Sequence, residues 1–262
     1  MTLMPYHHPN CYGQKIGSCS QKLSREHYVS DKVLRAISQA ENKVRVSGLK
    51  FLPSGVEKEI GISSLTGKIL CKSHNSALSG YDTAGLDFFT AMERVIVPGS
   101  PPAPIRISGD RLEAWMLKTL VGGVYSGAFP IPNDIMLNGT SPPSQFLAVL
   151  FEHERLPDPL GLYLWYGPDT ERFLTDHHVL RMQVVPGALA SGGTQKVLCG
   201  LMMWVFGIEF YLSVLPLPDP APGRWQQMIY RPTQLIGPTG ESFIIEWNGI
   251  GGDRPARFSN VD

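Results

Sequence analysis

The sequence predicts an α+β protein of two domains, residues 1–125 and 126–262, with helices mainly in the first and a mostly antiparallel β-rich fold in the second. Three observations lead there. Apolar residues recur at helical spacing in four segments ahead of residue 155, and they gather in strand-like runs after residue 159. Three of the four cysteines lie within the first 71 residues, close to a histidine at metal-ligand spacing.

In residues 30–41, Val33, Leu34, Ile37 and Ala40 fall on one helical face, and Ser30 or Asp31 is available as a cap. Residues 44–70 hold Val-Arg-Val-Ser-Gly and Ile-Gly-Ile-Ser-Ser-Leu among glycines and prolines, and read as short strands and loops. Residues 75–95 read as a helix that Gly80 and Gly85 can break. The cluster Pro98-Gly-Ser-Pro-Pro-Ala-Pro104 marks a stiff connection. After it, Leu112, Trp115, Met116 and Leu120 give residues 111–124 an amphipathic face, and residues 145–154 form a further helical candidate. Strands are expected at 160–166, 179–185, 197–206, 208–215 and 243–247, separated by turns such as Pro186-Gly187 and Ser191-Gly-Gly193. The domain boundary therefore falls around 125–159, and no internal repeat is apparent.

Composition excludes several classes. A hydrophobic content of 43% with 18% charged residues suits a globular chain rather than a disordered one. The N-terminus has no apolar core behind positive charge, so no signal peptide is expected and a cytoplasmic setting is the default. The apolar run 197–215 approaches membrane-spanning length, but it carries Glu209 and is interrupted by Gly200 and Gly207, so it reads as two buried strands with no membrane partner. Asn138-Gly-Thr140 matches a glycosylation acceptor, which without export reads as a loop. The zero net charge conceals an asymmetry: residues 1–125 hold 15 Lys and Arg against 10 Asp and Glu, and residues 126–262 hold 8 against 13. A basic front half can meet phosphates, although two solvated surfaces can also differ in charge by chance.

Cys71 and His74 are separated by two residues, a spacing that lets one turn aim both side chains at a single ion, and Cys11 and Cys19 can complete a tetrahedral zinc site from the N-terminal loop. The seven residues between Cys11 and Cys19 exceed the usual two to four, so His7 or His8 is an alternative fourth ligand. The competing readings are ordinary thiols in a reducing compartment and a Cys11–Cys19 disulfide. The zinc reading is preferred, because without a metal the first 25 residues carry little apolar content to hold them. Cys199, inside an apolar strand, reads as core.

Between the candidate ligand pairs lies Ser24-Arg25-Glu26-His27, and after them comes Leu70-Cys71-Lys-Ser-His74-Asn75-Ser-Ala-Leu-Ser-Gly-Tyr-Asp82. Across roughly residues 11–90 this order resembles the zinc-knuckle subset of HNH (His-Me finger) nucleases, in which cysteines precede an Asp/Glu-His step and a second ligand pair with asparagine follows it. The resemblance implies a zinc-stapled ββα-metal domain. It implies His27 as general base, Asn75 as the group orienting the His27 imidazole, and Glu26 as a ligand of catalytic Mg²⁺ or Mn²⁺. The family's last ligand stands about two helical turns after the asparagine, usually as His or Asn. Asp82 is the nearest candidate here and Asp87 the next.

The residue types suit phosphodiester hydrolysis. A histidine neutral near pH 7 can take a proton from water, and a hard divalent cation held by oxygen ligands can relieve charge on the leaving group. The expected function is a metal-dependent endonuclease acting on nucleic acid, DNA rather than RNA, in a mobile-element or phage-defence setting that the family alone suggests. The alternative is a catalytically inactive zinc-bearing module that binds nucleic acid or protein. The β-rich half is expected to serve a protein partner or homodimerisation, or to recognise a small ligand that governs the front half. The segments Glu152-His153-Glu154 and Asp176-His177-His178 read as polar rims, and Tyr163, Trp165, Tyr166, Trp204 and Tyr211 as core rather than base-stacking platforms.

Overall fold

The computed structural model describes residues 6–38, 42–97, 99–100, 105–131, 141–165, 179–188, 196–215, 228–248 and 256–257. Strand β1 (Leu23–His27) leads into helix α1 (Asp31–Ile37), which starts after Ser30 and buries Val33, Leu34 and Ile37. Strands β2 (Lys43–Ser47) and β3 (Lys58–Gly61) pair antiparallel. Strand β4 (Thr66–Cys71) then returns to β1, with Leu23 opposite Cys71 and His27 opposite Thr66, and the register shifts between Ser24 and Glu26. A bulge of this kind turns one side chain aside without ending the pairing.

Helix α2 (Lys72–Ile96) follows β4 directly and runs unbroken through both glycines expected to interrupt it. Their role is close packing. A Cβ on Gly85 would stand 2.5 Å from the Trp115 indole, and one on Gly80 2.7 Å from the Arg111 guanidinium. Each glycine costs about 1 kcal/mol of helix propensity relative to alanine. At Gly85 that cost is offset by complete burial of Trp115, since an indole removes about 150–250 Å² from water.

After strand β5 (Arg106–Ser108), helix α3 (Gly109–Tyr125) is buried along almost all of its length, and helix α4 (Ser144–Phe151) packs beside it. Ser108 caps α3 by accepting from the Arg111 N–H. The remaining strands are β6 (Gly161–Trp165), β7 (Val179–Ala188), β8 (Lys196–Val205), β9 (Ile208–Ser213), β10 (Met228–Tyr230), β11 (Gln234–Ile236), β12 (Ser242–Glu246) and β13 (Ala256–Arg257). All five strands expected after residue 159 are present, and the protein is mixed α+β with mostly antiparallel pairing. The apolar run 197–215 forms the β8–β9 hairpin, turned by Phe206 and Gly207 at φ 51° and 78°. Positive φ at both central positions is what a two-residue turn matched to strand twist requires. Among the described residues no helix is long and apolar enough to cross a membrane. Tyr166, Asp176, His177, His178 and Asn138-Gly-Thr140 lie outside the described residues.

The seven-stranded sheet runs β10-β6-β9-β8-β7-β2-β3, so the β2–β3 hairpin of the first half joins the strands of the second through a parallel β2–β7 pair. A four-stranded sheet, β13-β11-β12-β5, likewise includes β5 from the first half. One buried core runs from Val33 through Trp115 to Phe210 and Phe243. Structure is thus shared across the boundary expected at 125–159. The reason lies in the edges: β2 and β5 each leave an unpaired row of backbone groups, and strands from the later sequence satisfy it.

A buried ion pair fastens α3 to the end of β10. Arg231, 1% exposed, donates from Nε to Glu113 Oε1 at 2.8 Å and from Nη2 to Oε2 at 3.0 Å, and it also reaches Asp158 and the Leu156 carbonyl. Burial raises the Glu113 pKa despite that partner. Replacing Arg231 by methionine leaves the Glu113 carboxylate buried without a counter-charge, with the Leu162 N–H still donating to it, which costs about 3–5 kcal/mol. The expected result is a lower urea midpoint, partly recovered when Glu113→Leu is added.

Candidate metal centre and the neighbouring charge cluster

The N-terminal loop reaches the β4–α2 corner through backbone bonds. The Tyr12 N–H donates to the Ile69 carbonyl, and the Cys19 N–H to that of Tyr6. A short 3₁₀ turn at Gln14–Ile16 and left-handed residues Gly17 and Ser18 fold the seven intervening residues back, so Cys11 and Cys19 arrive together. This is how the wide spacing is accommodated. Gly13 lets the loop pack closely, since a Cβ there would stand 3.1 Å from His74 Nδ1 and from Phe151.

Cys11, Cys19, Cys71 and His74 are all buried, and their ligand atoms lie within 4.8 Å of one another. His74 Nδ1 stands 3.3 Å from Cys11 Sγ, 3.6 Å from Cys19 Sγ and 3.3 Å from Cys71 Sγ. A tetrahedral ion with Zn–S about 2.3 Å and Zn–N about 2.0 Å has S···N edges of about 3.5 Å, so the donor set fits a metal ion such as zinc. All four cysteines are free thiols, and the Cys11–Cys19 disulfide alternative is not formed. His7 and His8 are engaged elsewhere, His7 with the Gln14 carbonyl and His8 with the Asn10 N–H.

Backbone groups prepare the sulfurs for an ion. Cys11 Sγ accepts from the Cys71 N–H, and Cys71 Sγ accepts from Ser20 and His74. Burial pushes the Cys11 thiol up to about 12 and also raises Cys19. At Cys71 burial acts the same way, but the N–H donors from His74 and Ser20 outweigh it and the thiol pKa falls. The His74 imidazole is hydrogen-bonded by the Gly17 backbone. With Nδ1 turned to the sulfurs, that bond falls to Nε2 and leaves the Nδ1 lone pair for an ion.

The expected catalytic residues are distributed differently. Glu26 and His27 are consecutive in β1 and point to opposite sides of it. Glu26 is 6% exposed and turns inward, where Lys118 Nζ lies 2.7 Å from Glu26 Oε1 and 2.6 Å from Asp82 Oδ1. Glu26 and Asp82 therefore do converge, but on an ammonium. Burial raises the Glu26 pKa even so, with Lys118 and the Asn75 amide opposing. Asn75 Nδ2 donates to Ser24 Oγ at 2.8 Å, and its side chain also hydrogen-bonds Glu26. The imidazole of His27 instead meets Asp31 at 3.6 Å and the Ile62 backbone. Asp87, five residues after Asp82, is rotated by about 140° on α2, away from this group.

Sequence reasoning missed Lys118, Ser24 and Asp31. Lys118 stood only as a charge beside the apolar face of α3, and no spacing rule marked it. Comparison with protein-family models, with curated proteins and with solved structures finds no match for this chain.

Two outcomes follow from this geometry. Elemental analysis of the purified protein is expected to find about one zinc per chain, and His74→Ala should lose the ion together with several kcal/mol of stability. The second concerns His27, whose pKa burial lowers, so the fold favours the neutral ring. That contribution is complete above the unfolded value of about 6.5 and is lost as pH falls through the lower folded value. Thermal melts between pH 8 and 5 should show wild type losing more Tm on the acid side than His27→Gln.

Proposed function

We propose that this chain is a zinc-stapled module of HNH-like ββα layout that binds nucleic acid without hydrolysing it. The observation that carries this reading is the Lys118 ammonium held between Glu26 and Asp82 at 2.7 and 2.6 Å. A tethered cation in that position neutralises the carboxylates a catalytic Mg²⁺ or Mn²⁺ would need, and its departure would leave the buried Glu26 carboxylate without a counter-charge. The succession β1, β4, α2 with the four ligands at its corner supports the ββα-metal reading. A nucleic-acid partner, DNA before RNA as in the family resembled, is favoured by exposed cations on the same ribbon. Lys22 sits across from Lys72, whose N–H donates to the Lys22 carbonyl, and Arg25 and Lys68 occupy the bulge. Cations of this kind bind phosphates with strong salt dependence.

A second reading, the metal-dependent endonuclease with His27 as base, is favoured by one feature. His27 Nε2 is buried and makes no hydrogen bond, its nearest charged neighbour being Asp31 Oδ1 at 3.6 Å, so its lone pair can serve as a proton acceptor.

Plasmid incubation with Mg²⁺ or Mn²⁺, run beside duplex binding at several salt concentrations, separates the two. The inert module should bind in a salt-dependent manner, leave supercoiled DNA intact and lose affinity when Lys22, Arg25, Lys68 and Lys72 become glutamine. Nicking that disappears in His27→Ala while zinc is retained would establish the endonuclease instead. Absence of any nucleic-acid binding at low salt would leave a protein partner as the object of the module.

A further inference from the structure

A cavity of about 320 Å³ lies between the middle of α2, the first turn of α3 and the end of α4. Tyr81, Ser108, Asp110, Arg111, His153 and Glu154 line it, and none of them belongs to the metal centre or to the Lys118 cluster. Its volume is at the lower end of the range for small-ligand pockets, about 300–1,000 Å³.

The cavity wall contains a residue that helix geometry alone would not select. His153 follows the last turn of α4 at φ 60°, while the next residue, Glu154, returns its N–H to the Ala148 carbonyl. That helix-ending arrangement places a left-handed residue where glycine is usual, and a side chain with a Cβ is disfavoured there. What the histidine contributes is a ring directed onto Tyr81, with Nδ1 3.0 Å from the phenolic oxygen. Tyr81 is itself buried, and its single proton has two acceptors within reach, His153 Nδ1 at 3.0 Å and the Val149 carbonyl at 3.3 Å. Given to the nearer Nδ1, it selects the tautomer that carries N–H on Nε2, the donor left for a ligand.

Arg111 supplies charge. Among the described residues its guanidinium makes one long bond, 3.4 Å, to the Gly80 carbonyl and no ion pair. Asp110, the adjacent acid, is already occupied: Arg155 Nε is 3.1 Å from Oδ1, and the Asn248 N–H donates to Oδ2 at 2.8 Å. Arg111 is therefore the uncompensated cation of the cavity, beside a histidine held at a conformational cost and at the positive end of the 17-residue helix α3. A planar guanidinium with an imidazole at its side is matched by an oxyanion. We propose that this cavity is a binding site for a small ligand bearing a phosphate monoester or a carboxylate, clamped by Arg111 and His153, with Glu154 and Asn248 available to its polar body. The ligand is no larger than a nucleoside monophosphate.

Calorimetric titration of the full-length, zinc-loaded protein with inorganic phosphate, acetate and adenosine monophosphate tests this. Saturable binding of at least one probe is expected, weakened by about tenfold or more in Arg111→Gln and in His153→Gly, since each removes a charge-assisted or neutral hydrogen bond to the ligand. Response to phosphate and the monophosphate alone assigns a phosphoryl ligand, and response to acetate alone a carboxylate. His153→Gly also distinguishes a ligand role from a structural one, because glycine is the better residue for the left-handed position. Its Tm should be equal or higher while its affinity falls. No saturable response to any probe up to about 10 mM overturns the proposal. So does affinity unchanged in both variants.

Discussion

Three thiols and one imidazole meeting at the corner between β4 and α2 form the constraint on which the front of the molecule depends. Without that meeting, the segment from Tyr6 to Lys22 is held by the buried Tyr12 ring, a 3₁₀ turn and a few hydrogen bonds. With an ion at the corner, the loop, the ribbon and the first turn of α2 become one covalently cross-braced unit, because the ion bonds to residues sixty positions apart in sequence. Metal binding and folding of this region are then one equilibrium. The N–H···S bonds and the Gly17 contact to His74 indicate that the backbone is already set in the geometry the ion needs.

The same corner sets the fate of Glu26. Burying one carboxylate in β1 beside a second on α2 is costly unless a positive charge arrives, and α3 delivers Lys118. The chain solves its electrostatic problem internally. A protein that recruited a divalent ion would leave this place open to solvent. On the reading proposed above, the difference between an inert module and a nuclease rests on which cation sits between Glu26 and Asp82.

Much of this was legible in the sequence where a single physical rule dominates. Leu112, Trp115, Met116 and Leu120 fix α3 by periodicity, and Cys71 with His74 fix half the metal centre by spacing. The strands after residue 159 follow from continuous apolar runs. Other features were hidden because their cause is tertiary. Strand β1, Leu-Ser-Arg-Glu-His, has no β-branched residue, and it is extended because Cys71 lies opposite Leu23. Strand β5 has three residues and exists through its partner β12. Gly80 and Gly85 looked like helix breakers, since their use is visible only when Arg111 and Trp115 are in place. Lys118 could not be matched to Glu26 and Asp82 from sequence, as the three sit on different elements 36 or more positions from Lys118.

The β2–β3 hairpin, enclosed between the two ribbon strands, is stitched by its parallel pairing to β7, more than 130 positions later in the chain. Ribosomal synthesis therefore completes the metal ligands long before the sheet that anchors the loop between them exists. During that interval the nascent chain can capture its ion but leaves the outer edge of β2 bare, a template for stray strands.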